Sequence, residues 1–479
     1  MAISGGEVAK HATKSSCWIV LHNKVWDVTD YLSAHPGGEQ LLARLAGQDA
    51  TEDYDAMHNP DLVASILPPS SCIGEFDTST THKLKQRPQN PEINHTSEPA
   101  KADHLSLSSI ISVDDFEISA QKHLSPTGWA YYASGADDMY SIADCRRIFR
   151  LMKLRPRVLR DVSAVDTTVS ILGHHSSLPV YISPTGLGKY AHPDAECALA
   201  RAAGKDKIIQ VVPTAPSKGH EEITAAGNAH GTTMMFQLYV NQDRTRAEAT
   251  IRRAEELGYK AIWVTVDSPV LGKREMDNRL KAKEGTFNTS AGVAKSSSSG
   301  LLNPALVWED LDWIRSITKL PLVLKGVQSV EDAVMAYKRG LNGVVLSHHG
   351  GRSIDTAQAP LVTLLEIRRY APHLLTKKAP NYGQRKFEVY LDGGVRRGTD
   401  VVKALALGCT AVGIGRPFLY SMTGGYGEEG VGHLVSLLRS EIETNMALTG
   451  ASKVKHLEPG MVNSKRVEME VIDGGLVKL

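Results

Sequence analysis

The chain has 479 residues, 42% of them hydrophobic, and its 54 Lys and Arg nearly cancel its 53 Asp and Glu, for a formal charge of +1. Such a length holds two or three domains of a soluble globular protein. No apolar run approaches the roughly 18 residues of a membrane span, no nucleic-acid partner is expected, and five scattered cysteines without CxxC or zinc spacing make a reducing compartment the default. No basic-then-apolar signal opens the chain, so the expected location is the cytoplasm if it is complete at Met1, or the mitochondrial intermembrane space if a presequence has been removed.

Two apolar alternations, at 17–20 and 24–29, predict a pair of strands joined by a short turn. A short helix begins at Asp30-Tyr31-Leu32. Pro36-Gly37-Gly38 then breaks the backbone, so that the imidazole of His35 stands clear of it before a helix over 39–45. A second histidine follows at His58. A low-spin electron-transfer haem needs a strong-field ligand on each face of the iron, and two neutral imidazoles supply it. Residues 1–77 therefore read as a small α+β haem-binding domain that resembles cytochrome b5, with His35 and His58 as the axial ligands of a haem b iron. This stretch carries four Lys or Arg against eleven Asp or Glu, a net of −7, which leaves +8 for the remainder. The asymmetry suits docking on the chain's own basic body or on a basic external electron acceptor; a merely solvated acidic surface is the alternative.

Residues 78–109 turn polar, with Pro88, Pro91 and Pro99, and read as a flexible linker that keeps the haem domain near the next one at high effective concentration. Beyond a helix near Val113, apolar β-branched runs recur at 180–182, 208–212, 235–239, 261–266, 321–324, 343–346, 388–391 and 411–414, with helical stretches between them. Eight such runs over 110–479 specify an α/β fold, a (β/α)8 TIM barrel whose chemistry sits where the strands end. The break over 280–300, rich in Lys, Ser, Thr and Gly, is too long and polar for an ordinary connection and is expected to be a mobile lid or a disordered crossing.

Two consecutive strand ends announce a phosphate site. Asp392-Gly393-Gly394-Val395-Arg396 and Gly413-Ile414-Gly415-Arg416 combine glycines, over which backbone N–H groups approach a phosphate, with arginines that neutralise it. A phosphorylated cofactor is therefore expected. The sixth run ends in Ser347-His348-His349-Gly350-Gly351-Arg352, a base and a carboxylate clamp in one segment, since guanidinium binds carboxylate bidentately. Asp267 and Arg274 after the fourth run and Lys325 at the end of the fifth converge on the same mouth. There Asp267 can stabilise the imidazolium of His349, and Lys325 can sit against an anionic flavin ring.

Segment 347–352 is similar to the Ser-Asn-His-Gly-Gly-Arg signature of the FMN-dependent L-2-hydroxy acid oxidising family, which includes glycolate oxidase, lactate oxidase and mandelate dehydrogenase. His348 stands where that family has asparagine. With its haem domain the whole chain resembles the flavocytochrome b2 type of this family. The resemblance implies His349 as catalytic base with Asp267 as its partner, Tyr239 on the substrate hydroxyl, Tyr131 and Arg352 on the substrate carboxylate, and Arg274 as a second arginine beside them. It places FMN at Ser183, Pro184, Thr185, Gly186, Gln237, Thr265, Lys325, Ser347, Asp392, Gly393, Gly394, Arg396, Gly415 and Arg416. It also implies a homotetramer.

The reaction so implied is oxidation of a small L-2-hydroxy acid to the 2-oxo acid, with two electrons taken by FMN and passed singly to the haem and on to an acceptor such as cytochrome c. His349 removes a proton either from Cα or from the hydroxyl, with hydride transfer in the second case; both remain open. An oxidase that returns the electrons to oxygen as hydrogen peroxide is one alternative, and a non-catalytic haem and flavin redox sensor is another. The intact His349, Arg352, Asp267 and Tyr239 argue against the sensor. Finally, Gly186 and Ala215 stand where lactate-using flavocytochrome b2 has alanine and leucine, at positions that face the substrate side chain in the family. Their truncation leads us to expect L-mandelate or another bulky L-2-hydroxy acid to be preferred over L-lactate, at about 0.8 kcal/mol per additional buried methylene.

Overall fold

The computed structural model describes residues 2–35, 39–60, 62–85, 105–283, 300–375 and 387–474, apart from the side chains at 65 and 281. Pro36-Gly37-Gly38, residues 86–104 of the expected linker and residues 284–299 of the expected lid lie outside the described residues.

At the N-terminal end, strands β1 (Ala12–Thr13), β2 (Ser16–Leu21), β3 (Lys24–Asp27) and β4 (Cys72–Glu75) form an antiparallel sheet in that order. The β2–β3 hairpin turns on His22 and Asn23, both at positive φ (+48° and +60°), which matches the twist of the strands it joins. Alternation sends Cys17, Ile19 and Leu21 to one face, where Trp26, Val28 and Leu32 join them, and Val20 to the other, against Val8, Val25 and Phe76. Helices Glu39–Leu45, Thr51–Met57 and Leu62–Ile66 follow between β3 and β4, and the helix expected at Asp30 is reduced to a 3-10 turn at Leu32–Ala34. The expected linker start is also corrected. Thr78–Lys83 is a 3-10 helix tied back to this domain: Gly5 N donates to Thr80 Oγ1 at 2.7 Å, Lys85 N donates to Gly47 O at 3.0 Å, and Leu84 packs on the Val8 cluster. A polar stretch read as tether is here held by backbone hydrogen bonds that composition does not reveal.

The second domain opens with the helices Val113–His123, Pro126–Ala133 and Tyr140–Leu151, the first of them where a helix was expected, and three short strands follow, β5 (Lys153–Leu154), β6 (Val169–Ile171) and β7 (His174–Ser176). Eight more follow: β8 (Val180–Ile182), β9 (Ile209–Val212), β10 (Met234–Leu238), β11 (Ile262–Thr265), β12 (Leu322–Val327), β13 (Gly343–Leu346), β14 (Glu388–Asp392) and β15 (Ala411–Ile414). These eight close into an all-parallel barrel in the order β10-β11-β12-β13-β14-β15-β8-β9. β16 (Val462–Asn463) pairs back onto β5.

The barrel interior explains where chemistry is possible. Tyr181, Val211, Met235, Trp263, Val323, Val345 and Tyr390 fill it with a dry layer, in which the Trp263 and Tyr390 rings stack at 5.1 Å and Tyr181 meets Trp263 edge-on at 5.0 Å. The β6–β7 hairpin closes the N-terminal end, where Leu172 N donates to the Glu388 carboxylate. Strand side chains repeat on one face every second residue. One step further along the same inward face stand Ser183, Gln237, Thr265, Lys325, Ser347 and Asp392, all polar. The C-terminal mouth is thus ringed by polar side chains, whereas at the opposite end the Glu388 carboxylate is taken up by Leu172 N and the Tyr390 hydroxyl.

Candidate active site

His349 follows β13 with a positive φ of +58°, its backbone N–H donating to Ser347 Oγ at 3.0 Å. That turn aims the ring. Nδ1 lies 2.7 Å from Asp267 Oδ1 and 3.0 Å from Ser268 Oγ, and Nε2 lies 3.2 Å from the Tyr239 hydroxyl. An ionised carboxylate only accepts, so Nδ1 carries the proton and Nε2 presents its lone pair to the mouth, where the Tyr239 hydroxyl donates to it. Burial by itself would raise the pKa of Asp267, but His349, and Lys325 with its Nζ 3.9 Å away, outweigh that and hold it at about 2. Asp267 is therefore an anion at any working pH and stabilises positive charge on His349. Gly326, next to Lys325, has φ +108°, and a Cβ there would lie 2.5 Å from Asp267 Cβ. Ser268 and Gly326 escaped the sequence reading, whose only signal for them was adjacency to Asp267 and Lys325.

Across the mouth, Arg352 Cζ lies 4.9 Å and Arg274 Cζ 5.3 Å from the centre of the Tyr131 ring. Arg352 Nη1 is anchored on Tyr131 O at 2.7 Å. Burial, and after it the nearness of Arg274, brings the Arg352 pKa down to about 9. Two crowded cations on one aromatic ring form a ready receptor for a carboxylate. Tyr239 is half-buried at the mouth, and desolvation there pushes its pKa up and keeps the hydroxyl protonated. The structure thus brings His349, Asp267, Tyr239, Tyr131, Arg274 and Arg352 together. It does not support the space expected at Gly186, because a Cβ built there meets Ala215 O at 2.7 Å. The neighbouring loop fills that room, and only the truncation at Ala215 remains as a source of extra volume.

The polar layer beneath fits a bound cofactor. Gln237 donates from Nε2 to Thr265 Oγ1 at 2.9 Å and accepts from Thr214 N at 3.1 Å, which fixes its amide, and Lys325 Nζ lies 4.0 Å from Asp392 Oδ2. Ser183 Oγ, Thr185 Oγ1, Asp392 Oδ1 and Arg396 Nε are buried with no hydrogen-bond partner. Buried polar atoms are rarely left so, and these four, at the ends of β8 and β14, are open groups that a bound flavin nucleotide can meet. Gly393 and Gly394 have φ +96° and +80°, and a Cβ at Gly394 would lie 2.6 Å from Cys145 Cβ. Pro184 and Gly415 belong to the same rim, a Cβ at Gly415 touching Thr185 Cγ2 at 3.2 Å. Arg416 donates to Tyr132 O at 2.7 Å, Gly350 O at 2.9 Å and Ser134 O at 2.9 Å, which fixes its guanidinium on backbone carbonyls and leaves two of its five N–H groups for other acceptors, while Arg396 has its Nε–H open. His348 keeps the loop bonded despite replacing asparagine. Its Nδ1 accepts from Gly351 N at 3.0 Å, and its Nε2 faces Cys145 Sγ at 2.8 Å.

In the first domain the His35 and His58 ring centroids lie 6.2 Å apart with the ring planes at 77°. A metal–imidazole bond of about 2 Å on each side, plus about 1 Å from nitrogen to ring centre, gives about 6 Å, so the pair fits one iron between two rings. Burial, followed by the charge of Lys189, pushes the His58 pKa down to about 4, which keeps the imidazole neutral as a ligand must be.

Residues 120–464 match the model of the FMN-dependent dehydrogenase family. The chain belongs to that family. Residues 4–77 match the cytochrome b5-like haem/steroid binding domain, so the chain joins the two modules in the manner of flavocytochrome b2 and binds FMN and haem. It is 38% identical over 477 residues to an L-lactate dehydrogenase (cytochrome) of Wickerhamomyces anomalus, covering 97% of this chain and 80% of that relative. An L-lactate oxidase of a Nostoc species is 40% identical over 374 residues, covering 74% of this chain and 99% of its own. Among solved structures, an alanine-to-glycine, leucine-to-alanine double mutant of flavocytochrome b2 with pyruvate bound matches with a TM-score of 0.70 at 38% identity, over 77% of this chain and 90% of that one.

Proposed function

We propose that this FMN-dependent dehydrogenase oxidises an L-2-hydroxy acid to the 2-oxo acid and delivers the electrons through its haem domain to a cytochrome-type acceptor. The observation that carries this reading is the His349–Asp267 hydrogen bond facing the Arg352–Arg274 pair across one barrel mouth, in a chain that also holds two imidazoles 6.2 Å apart between ring centres. Bound FMN supplies a two-electron acceptor, and bound haem a one-electron exit. Arg352 and Arg274 take the substrate carboxylate and so fix which hydrogen faces His349. Tyr239 holds the substrate hydroxyl, His349 Nε2 receives a proton, and Asp267 stabilises the imidazolium that results. Lys325, between Asp267 and Asp392, offsets their charge and offers a cation to the flavin ring.

L-lactate is the substrate that the cytochrome-linked relative supports. Ala215 adds room for larger side chains, and the flavocytochrome b2 double mutant, with the same two kinds of truncation that this chain has at 186 and 215, still holds pyruvate. We therefore read the enzyme as an L-lactate dehydrogenase whose range extends to aromatic 2-hydroxy acids. Steady-state kinetics on glycolate, L-lactate, L-2-hydroxyoctanoate and L-mandelate test it: mandelate turnover within about tenfold of lactate in kcat/KM is expected, whereas a larger deficit means the pocket is closed beyond a methyl group. Oxygen as acceptor is the second reading, favoured by the oxidase relative, which matches only 74% of this chain. Haem reduction by substrate without peroxide is the expected result, and stoichiometric peroxide would reverse the assignment.

A further inference from the structure

Two cations of the barrel reach across to the haem domain, and both end on main-chain carbonyls of the helices that flank His58 in the chain. Lys189, in the loop after β8, donates from Nζ to Asp55 O at 2.6 Å and to His58 O at 3.4 Å. Arg246, in the first turn of the helix Arg244–Glu256 that follows β10, donates to Ile66 O at 2.8 Å and to Leu67 O. These acceptors end the helices Thr51–Met57 and Leu62–Ile66, which stand on either side of His58 in the chain. A helix finishes with carbonyls that have no partner within it and with the negative pole of its dipole, so a lysine or arginine there is both donor and charge complement. Beside the Lys189 contact, Asn59 and Pro60 line a cleft of about 510 Å³ together with Lys218 and Gly219. The domains therefore meet here through a few polar anchors and not through a continuous apolar core. Both anchors come from the strand-end face that carries His349, and the charges of the two parts, −7 and +8, agree in sign with such docking.

We infer that Lys189 and Arg246 are positioning residues that clamp the helix pair flanking His58 onto the barrel mouth and thereby set the rate at which an electron passes from flavin to haem. The inference rests on the dehydrogenase reading above. One electron leaves reduced FMN and converts ferric haem to ferrous haem; neither side chain exchanges a proton or an electron, and their effect on the rate comes through the separation, over which electron tunnelling falls off steeply, while Lys189→Arg keeps the charge that Lys189 places near His58.

The test uses the full chain with both cofactors bound, as Lys189→Gln, Arg246→Gln, the double variant and Lys189→Arg. Anaerobic stopped-flow mixing with L-lactate follows flavin bleaching and haem reduction at separate wavelengths, and small-angle scattering without substrate reports how closely the domains pack. In the double variant flavin bleaching stays within about twofold of wild type while haem reduction slows about tenfold or more, because docking then depends on the effective concentration of the tethered domain alone. Its radius of gyration rises, and Lys189→Arg recovers most of the single loss. Haem reduction at the wild-type rate, an unchanged radius, or a parallel fall in flavin bleaching each overturns the inference. Failure of the functional reading looks different: wild-type flavin bleaches and wild-type haem stays oxidised, and scattering then decides the clamp alone.

Discussion

At His349 one ring nitrogen is spent on Asp267 and the other is left facing the mouth, so in the proposed mechanism its replacement removes both the proton acceptor and the imidazolium that Asp267 stabilises. His349→Gln is expected to slow flavin reduction by ~10²–10⁴-fold, measured in a single turnover, and a near wild-type rate would remove His349 from the mechanism. Arg352→Lys weakens substrate binding as well as turnover, because an ammonium cannot reproduce the two-pronged fork. Asp267 adds a pH dependence. Its folded pKa of about 2 lies below the ordinary carboxylate value, so its stabilisation is fully present above about pH 4 and is lost as pH falls through about 2, of order 2 kcal/mol in all. Denaturant midpoints of wild type and Asp267→Asn should therefore differ at pH 6 and converge toward pH 2; a gap independent of pH would mean that the carboxylate is not held ionised by His349 and Lys325.

Whole elements matter because strand ends deliver the site. β12 places Lys325 inward, and only a glycine after it lets Asp267 lie alongside. Gly326→Ala meets both a positive φ and a 2.5 Å contact, so it should cost about 1–3 kcal/mol in thermal unfolding and lower flavin reduction by displacing Asp267. After β14, Gly394→Ala runs into Cys145 at 2.6 Å beneath the expected phosphate loop. Its expected consequence is FMN loss on desalting while the haem band persists, and full FMN retention would place the phosphate elsewhere. The eight strands were legible as apolar runs because a barrel buries both faces of each strand, and every predicted run overlaps an observed one. Thr78–Lys83 was not legible, since its order comes from hydrogen bonds to Gly5 and Gly47, distant in sequence.

On the scale of the molecule, two cores that share no buried residues imply separable cofactors. His58→Ala should yield a protein without haem that retains FMN, still reduces ferricyanide with L-lactate, and no longer reduces cytochrome c; absorbance at the haem and flavin bands checks the content. Loss of FMN together with haem in that variant would show that the modules depend on each other for folding. No described helix is long and apolar enough to cross a membrane.

The sequence alone determined the two modules, their order and the eight strands, and its resemblance to the family pointed to His349, Asp267 and the two arginines as the groups to look for at the barrel mouth. It could do so because alternation and motif spacing are local properties of a chain. The tertiary structure decided what depends on residues far apart meeting in space: Ser268 on His349, Gly326 making room for Asp267, Arg416 serving carbonyls of the 132–134 and 350 segments, and the Ala215 carbonyl filling the space beside Gly186. Whether a missing methyl opens a pocket or merely admits a neighbouring backbone is set by how two loops pack, and no single-chain pattern carries that information.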